Sequence, residues 1–286
     1  MAPCPIQCGF IKQQFGEKNN LLILYTSVML KKFAKNILTT KVYDTLSNGY
    51  SSAKAIFIAN TDDSLIYPYK LEIIAGKLIC LDLIPPGSTI ISGGVGNDVN
   101  FELDLIKKKH TQVIGLDPTV TAEKFIENKK SSNPELNSYY TYLKKALSNS
   151  NKKLKLYYGE NDFMSSVSLQ HRDTKEDNFF YCEAITIEEL LQQYQNVSYL
   201  KLDIEGAEYS ILNELKHISI PQISIEFHHH CSAEYNITET INLIQKLIGM
   251  GYDAIDYGAF HGAGRKLPSY TSKWSDLNCE LLFIKR

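Results

Sequence analysis

From Lys77 to the end of the chain, short apolar runs rich in β-branched residues alternate with longer stretches of helical periodicity. This alternation is typical of a parallel sheet whose crossover helices cover both faces. A chain of 286 residues with 44% hydrophobic content can bury one large core, which fits one domain plus an extension better than two full domains. The sequence therefore predicts an α/β domain over residues 77–286 and a separate, mainly helical extension over residues 1–76.

The period of the apolar residues predicts seven strands and five helical regions in this domain. The stretch between the second and third strands is long for one crossover, so we expect two helices broken near residues 131–134. The N-terminal extension contains no motif with recognisable chemistry. The predicted strands cover residues 89–92, 112–116, 154–158, 199–203, 222–226, 252–256 and 279–284. The predicted helices cover residues 101–109, parts of 121–147, 187–194, 207–216 and 238–250.

The charge balance argues against several classes of partner. The net charge is −2, so no overall field draws the protein to nucleic acid or to an anionic membrane. Only three of the 30 basic residues are arginine, which leaves few guanidinium forks for phosphate or base contacts. The six cysteines are spread along the chain, which indicates thiols in a reducing compartment and not a disulfide framework. The apolar run at 21–30 is too short to span a bilayer. We expect a cytoplasmic protein that binds neither nucleic acid nor membranes, with its oligomeric state left open.

A glycine-rich turn, SGGVGNDVNFE, runs from Ser92 to Glu102 after the first predicted strand. Glycines let the backbone turn sharply and approach a ligand, and the next helix N-terminus offers free N–H groups. A dinucleotide fingerprint needs a glycine where this chain has Val99, and the carboxylate of Asp98 suits a cation better than a diphosphate. S-adenosylmethionine, with its sulfonium and ammonium groups, is such a cation. An ordinary strand-to-helix turn capped by Asp98 is the alternative.

Two later turns supply further candidates for a cofactor site. The second strand ends at Asp117, roughly 20 residues after the glycine turn, where Rossmann-like sheets place an acid that binds ribose hydroxyls. A helix cap or an Asx turn before Pro118 would use the same residue. The turn after the third predicted strand holds Asn161 and Asp162. Either residue could bond an adenine amine, or both could belong to a plain polar turn.

The fourth predicted strand runs into a group of acids in the sequence LKLDIEGAE, residues 200–208. Asp203 and Glu205 are expected to alternate onto one side of an extended chain, with Glu208 on the first helical turn. Acids at the carboxyl end of a strand lie where open α/β sheets bind ligands. The alternative for Glu208 is an electrostatic preference for the helix N-terminus.

The fifth predicted strand ends in Glu226 and a run of three histidines at 228–230. Glu226 and His228 lie two residues apart, so they are expected to share a face directed at Asp203. An imidazole beside several carboxylates has a raised pKa and is a candidate general base or metal ligand. Adjacent strand residues point in opposite directions, so the histidine run lacks zinc spacing. We predict no metal, although Asp203, Glu226 and a substrate oxygen would suit Mg²⁺ or Mn²⁺.

In this order, GVGND with FELDL, GLDP, LKLDIEGAEYSIL and ISIEFHHH resemble the motifs of the FkbM family of methyltransferases. The resemblance covers roughly residues 77–286, and LDIEGAE is its most specific part. It implies a Rossmann-like, seven-stranded mixed sheet with an antiparallel last strand and helices on both faces. It also implies S-adenosylmethionine as the cofactor, and O-methylation of a hydroxyl on a sugar, a glycan or a small metabolite.

The resemblance and the turns together predict two sets of site residues. The cofactor set is Ser92, Gly94, Gly96, Asp98, Glu102, Asp117, Asn161 and Asp162. The catalytic set is Asp203, Glu205, Glu226 and His228, with His228 as general base oriented by Glu226 or Asp203. Ser92 stands where many such enzymes have an acid, and Asp98 replaces their third glycine, so Asp98 or Glu102 is expected to hold the methionine amine.

Two other functions stay open at this point. A nicotinamide-dependent oxidoreductase would share the strand, the glycine turn and the acid, but it needs a glycine at position 99 and leaves LDIEGAE unexplained. A binding or scaffold domain would keep the methyltransferase fold without turnover. The glycine-rich loop that leads to Trp274 is a candidate wall of a substrate pocket, and core packing of Trp274 is the alternative.

Overall fold

The computed structural model describes residues 69–256, 265–266 and 280–286, apart from residues 161, 172, 230, 232 and 233. For residues 163, 256, 265 and 266 it describes the backbone only. Residues 1–68, Asn161 and the loop that contains Trp274 lie outside the described residues, so the predictions made for them stay predictions. None of the described helices combines the length and hydrophobicity that crossing a bilayer requires.

The described residues form fourteen strands and six helices. The strands are β1 Glu72–Ile74, β2 Lys77–Ile79, β3 Thr89–Gly93, β4 Gln112–Leu116, β5 Tyr140–Leu143, β6 Ala146–Leu147, β7 Leu154–Tyr158, β8 Lys175–Cys182, β9 Ala184–Ile185, β10 Val197–Leu202, β11 Gln222–Glu226, β12 Tyr252–Asp256, β13 Arg265–Lys266 and β14 Glu280–Lys285. The helices are α1 Asn100–Lys109, α2 Val120–Ser132, α3 Pro134–Tyr139, α4 Ile187–Gln193, α5 Ala207–Glu214 and α6 Ile237–Gly249. Short 3₁₀ turns lie at Leu81–Leu83 and Asp162–Met164.

One mixed sheet organises the domain, in the strand order β13-β12-β14-β11-β10-β3-β4-β5. Strands β11, β10, β3, β4 and β5 are parallel to one another, and β14 inserts antiparallel between β11 and β12. Apart from the two-residue edge strand β13, this is the predicted seven-stranded sheet with an antiparallel last strand, so the predicted fold class is confirmed. The strand order reverses between β3 and β10, where open α/β sheets form a ligand crevice.

The core lies on both faces of this sheet because consecutive strand residues point to opposite sides. Ile91 and Leu200 belong to the buried cluster that contains α4, α5 and α6. Their neighbours Ile90 and Tyr199 belong to the cluster that contains α1, α2 and α3. The apolar runs of the strands thus carry one residue for each layer of helices.

The predicted helix break near residues 131–134 lies at Asn133. Its side chain caps α3 by accepting a hydrogen bond from the amide of Leu136 at 3.1 Å. Pro134 takes the first helical position, where a missing N–H costs nothing. These two local signals end α2 and start α3.

The prediction that residues 154–158 form the third parallel strand of the main sheet is wrong. Leu154–Tyr158 is a strand, but it pairs antiparallel with β8 in a separate two-stranded sheet. The third parallel strand is β5, which pairs with β4 directly after α3. Residues 140–147 contain tyrosines, lysines and a threonine without a continuous apolar run, so they resemble the end of a helical stretch. The turn at 159–163 therefore does not follow a strand of the main sheet.

A hairpin of β1 and β2 precedes the sheet and packs against its α1 side. Ile74, Leu78 and Ile79 are buried in the same cluster as α1. The predicted domain division between residues 76 and 77 falls in the turn of this hairpin, where Gly76 has a φ of 81°. The hairpin also brings the ammonium of Lys77 to 2.8 Å from a carboxylate oxygen of Glu280.

Shortening a buried side chain of the central strand should destabilise the domain far more than shortening an exposed side chain. Leu200 in β10 is fully buried in the core, so Leu200→Ala is expected to lower the free energy of unfolding by about 2–5 kcal/mol. Leu169→Ala removes the same atoms from a side chain that is 41% exposed and should change it by less than about 1 kcal/mol. Urea titration followed by circular dichroism measures both. Equal losses would contradict the placement of Leu200.

Candidate active site

A cleft of about 410 Å³ opens at the carboxyl ends of β3 and β10. This volume falls in the range of small-molecule sites. Three chain segments supply most of its polar wall. They are the glycine loop at 94–98, the turn at 117–119 and residues 203–207 within the LDIEGAE motif. Leu116, Leu147 and Leu156 contribute an apolar wall. The cleft therefore combines a polar side and an apolar side at the reversal point of the sheet.

A close backbone approach requires glycine at position 94. Gly94 has a φ of 81°, and a Cβ atom there would lie 1.7 Å from the carbonyl oxygen of Asp203. Its amide donates to the carbonyl of Leu116 at 2.9 Å, and Nζ of Lys201 donates to its carbonyl at 2.6 Å. These contacts fix the glycine loop to both neighbouring strands, so Gly94 serves the packing of the loop against the LDIEGAE motif.

Asp117 holds the rest of the loop through four hydrogen bonds. Oδ2 accepts from the amides of Val95 and Gly96 at 3.0 and 2.9 Å. Oδ1 accepts from the amide and the hydroxyl of Thr119 at 2.9 and 2.5 Å. A carboxylate offers about four acceptor positions, so these bonds fill them. Contact with ribose hydroxyls, as predicted for Asp117, would need an exchange of at least one of these bonds.

Ser92 and Glu102 form a buried pair beneath the glycine loop. The Ser92 hydroxyl donates to Oε1 of Glu102 at 2.6 Å. Glu102 lines the cleft, whereas Ser92 does not. Asp98 lies exposed at the rim, and its carboxylate caps α1 by accepting from the amide of Asn100 at 2.9 Å. Of the two acids predicted to hold an amine, Glu102 is thus the buried one.

The structure does not bring Asp162 into the cleft. Its carboxylate accepts hydrogen bonds from the amides of Val120 and Thr121 at 2.9 and 3.3 Å, and from the Thr121 hydroxyl. An anion at this position is stabilised by the unpaired amides and the dipole at the N-terminus of α2. Asp162 therefore fixes the turn at 162–164 to a helix end, and the predicted contact with adenine does not follow from its position.

The LDIEGAE motif ends its strand early and turns through left-handed backbone. Strand β10 stops at Leu202, and Glu205 and Gly206 have φ values of 50° and 102°. A residue with a side chain costs about 1–2 kcal/mol in this region. The Ser166 hydroxyl donates to the carbonyl of Glu205 at 2.6 Å. Asp203 and Glu205 thus come together through a turn, not by the predicted alternation along a strand.

Glu208 orients His228. The Glu208 side chain is 0% exposed, and its Oε1 accepts from the amide of His228 at 2.9 Å and lies 3.0 Å from Nδ1. Because a carboxylate only accepts, Nδ1 carries the hydrogen. Nε2 is then directed at Oδ1 of Asp203, 3.9 Å away, and at Oε2 of Glu205, 3.5 Å away. Glu208 takes the orienting role that was predicted for Glu226 or Asp203, and it does more than favour a helix end.

We call Asp203, Glu205, Glu226 and His228 the acidic edge. Burial opposes protonation of His228, but the bond to Glu208 and the charges of the neighbouring acids raise its pKa to about 9. Burial opposes ionisation of Asp203, but Lys201 and other cations hold the pKa of that carboxyl below its usual range. Burial, followed by the charge of Asp203, raises the pKa of Glu226. Asp203 and Glu205 line the cleft, whereas Glu226 and His228 lie behind them.

Three residues of the site were not predicted from the sequence. Lys201 and Ser166 bind the backbone of the two turns, as described above. His171, in the segment between β7 and β8, is 2% exposed and places Nε2 at 3.1 Å from Oε2 of Glu205. Lys201 could have been recognised, because it lies two residues before the acid that follows β10. A single histidine or serine in a polar loop has no distinguishing pattern.

Comparisons with known proteins point to one family. Residues 82–254 match the family described as Methyltransferase FkbM domain. This segment contains every described member of both predicted sets, from Ser92 to His228. A search of curated proteins gave no match.

Two solved structures are similar to the chain. An FkbM methyltransferase from Methylobacillus flagellatus KT has 14% identity and a TM-score of 0.40, over 70% of this chain and 43% of that one. A precorrin-6y C5,15-methyltransferase from Geobacter metallireducens GS-15 has 7% identity and a TM-score of 0.36, over 72% of this chain and 84% of that one. The chain thus spans less than half of the Methylobacillus structure.

A matched pair of glycine substitutions tests the geometry of the loop. Gly94→Ala places a methyl group on the Asp203 carbonyl, so we expect a loss of more than about 3 kcal/mol of unfolding free energy. Gly96 also has a positive φ, but no atom lies within 4 Å of its Cβ position, so Gly96→Ala should cost only about 1–2 kcal/mol. Chemical denaturation compares the two. Equal costs would show that backbone φ alone, and not the contact with Asp203, demands glycine at 94.

Proposed function

The chain belongs to the family of the FkbM methyltransferase domain, and we propose that it transfers the methyl group of S-adenosylmethionine to a hydroxyl oxygen. One observation carries this proposal: a single cleft joins a glycine loop backed by the buried Glu102 to the carboxylates of Asp203 and Glu205. The first side suits a cationic cofactor, and the second suits a hydroxyl acceptor. A methyltransferase needs both within one small volume.

Glu102 is the proposed partner of the methionine ammonium. It is buried, it lines the cleft, and the hydrogen bond from Ser92 occupies Oε1. A hydrogen bond between an ammonium and a carboxylate is about twice as strong as a neutral one. The same carboxylate, with Asp98 and Asp117 nearby, opposes a diphosphate. The cleft therefore favours S-adenosylmethionine over a nicotinamide dinucleotide.

The adenosine is proposed to lie between Asp117 and the apolar wall. Leu116, Leu147 and Leu156 offer contact area to an adenine ring, which is flat and largely apolar. Ribose hydroxyls can replace hydrogen bonds that Asp117 makes in the free protein. This placement directs the sulfonium end of the cofactor from the glycine loop towards Asp203.

The acceptor is proposed to bind at Asp203 and Glu205. Hydroxyl groups donate hydrogen bonds and carboxylates only accept them, which fits a sugar, a glycan or a small polyhydroxy metabolite. The bond from the acceptor oxygen to the methyl carbon forms as the carbon–sulfur bond breaks, and the electron pair stays on sulfur to give S-adenosylhomocysteine. The acceptor proton must also leave. Holding oxygen, carbon and sulfur nearly in line supplies most of the rate gain.

His228 does not qualify as the base in the state that the structure presents. It is 3% exposed, lies behind Asp203 and Glu205, and has a pKa of about 9, so it keeps a proton at neutral pH. It can act on the acceptor only through another group, or once that proton has been displaced. Its place within the acidic edge nevertheless ties it to the acceptor and not to the cofactor.

Calorimetry on the whole chain tests the cofactor. S-adenosylmethionine and S-adenosylhomocysteine should bind and NAD should not. Glu102→Gln removes the charge that faces the ammonium, so it should weaken binding of both ligands by about 10- to 100-fold. Asp104→Asn, on the same helix but away from the cleft, is the control and should bind like the wild type. Binding of NAD, or an unchanged affinity in Glu102→Gln, would contradict the proposal.

Methyl transfer is tested with radiolabelled S-adenosylmethionine and a library of sugars, glycans and small alcohols. His228→Ala should lower turnover by about 100-fold or more while cofactor affinity stays within threefold, because the imidazole neighbours the acceptor-side carboxylates of Asp203 and Glu205 and not the cofactor side. Equal losses in turnover and cofactor affinity would overturn this assignment. Tight cofactor binding with no labelled product from any acceptor would instead favour a binding domain without turnover.

A further inference from the structure

Three donor atoms converge within the acidic edge from two neighbouring strand ends. Asp203 follows β10, Glu226 ends its parallel neighbour β11, and His228 lies two residues beyond that strand. One atom of each side chain lies within 4.8 Å of the other two, and Nε2 of His228 is 3.9 Å from Oδ1 of Asp203. Around an octahedral ion with bonds of about 2.1 Å, adjacent ligands lie about 3 Å apart and opposite ligands about 4.2 Å apart. Small inward movements would bring these atoms to such distances.

The nearby lysines leave one oxygen of Asp203 directed into this group. Nζ of Lys201 lies 3.4 Å from Oδ2 of Asp203 and bonds the Gly94 carbonyl. Lys77 lies 2.8 Å from Glu280. Oδ1 is instead the oxygen that faces His228. Among the described residues at this point, four carboxylates face two ammonium groups, so a further positive charge would be stabilised there. The carboxylates are those of Asp203, Glu205, Glu226 and Glu280, and the ammonium groups are those of Lys77 and Lys201.

His228 has the arrangement of a metal-bound histidine. Its Nδ1 donates to the fully buried Glu208 at 3.0 Å, which fixes Nε2 towards Asp203. Histidines that bind metals almost always donate their second ring N–H to a carboxylate or a carbonyl, and this bond sets the tautomer and the ring orientation. Glu208 is thus placed as a positioning residue behind a ligand.

An independent observation comes from His171 on the opposite side of the acidic edge. His171 is 2% exposed, and its ring centroid lies 6.5 Å from that of His228. Nε2 of His171 is 3.1 Å from Oε2 of Glu205, yet within the described part of the chain neither atom has a hydrogen-bond partner of acceptable geometry. Buried polar atoms of this kind are rare and point to an ion or an ordered water.

We infer that Asp203, Glu226 and His228 bind one divalent cation, whose bound water contacts Glu205 and His171. The Nε2 proton of His228 leaves to solvent as the ion binds. Two carboxylates with one imidazole suit Mn²⁺ better than Ca²⁺, which prefers oxygen ligands throughout, or structural zinc, which prefers cysteine and histidine. The proposed cation site departs from the sequence-based expectation of no metal, and it joins His228 to the oxygen ligands considered there.

The cation would also explain how the buried His228 contributes to catalysis. This part of the inference rests on the proposed methyl transfer. When bound, the ion would make an acceptor hydroxyl a stronger acid. Oε2 of Glu205 would receive that proton as the oxygen–methyl bond forms, and the electron pair of the breaking carbon–sulfur bond would stay on sulfur. His228 then acts as a ligand, and Glu205 receives the proton.

Mn²⁺ alone, added to the whole chain after treatment with a chelator, tests the site. Titration followed by the electron paramagnetic resonance signal of free Mn²⁺ should show one saturable site per chain. Glu226→Gln and Glu208→Gln should each weaken binding by about tenfold or more. Glu176→Gln, an exposed acid on β8, is the control and should bind like the wild type. Circular dichroism shows whether each variant is folded, and Glu226→Gln decides the outcome if Glu208→Gln is not.

Absence of a saturable site in the wild type, or equal affinity in folded Glu226→Gln, would overturn the cation site. The methyl-transfer assay keeps this failure apart from a failure of the proposed function. Full turnover in the presence of a chelator would overturn the role of the ion and leave methyl transfer intact. Mn²⁺ binding with no methyl transfer to any acceptor would leave the site intact and overturn the proposed function.

Discussion

The backbone of Gly94 lies so close to the carbonyl of Asp203 that no side chain fits between them. This contact joins the glycine loop to the acidic edge across the two central strands. The bond that Lys201 donates to the Gly94 carbonyl, and those that the amides of Val95 and Gly96 donate to Asp117, hold the loop in the same position. The two sides of the cleft, proposed to bind the cofactor and the acceptor, are therefore joined by direct contact, and a shift of one would displace the other.

Sequence reasoning found the parts of this unit that repeat a regular pattern. Parallel strands buried on both faces show as apolar runs, and their carboxyl ends must meet, so the meeting of Asp203, Glu226 and His228 was predictable. Strand β5 was missed because its tyrosines and threonine directly follow a helix. Glu205 reaches the site through a left-handed turn, and His171 through a loop that precedes the motif by more than thirty residues. No local pattern encodes either contact.

The acids of the site differ in role because they differ in partner. Glu208 is completely buried and accepts hydrogen bonds from two backbone amides and a ring nitrogen. The acceptor positions of Asp117 are occupied by loop amides and Thr119. Asp162 caps a helix. Glu102 and Asp203 line the cleft. A motif rich in acids therefore predicts where a site lies. Burial and hydrogen bonding then decide which carboxylate is structural and which faces a ligand.

The hairpin of β7 and β8 contributes Leu156 to the cleft, and the segment between its strands places Ser166 and His171 against Glu205 of the acidic edge. Within the described residues its strands pair with no strand of the central sheet. It can change in length or composition without breaking a hydrogen bond of the central sheet. Changes in this hairpin and in the segment between its strands would therefore reshape one wall of the cleft while the glycine loop stays constant, which under the proposed function would change the acceptor.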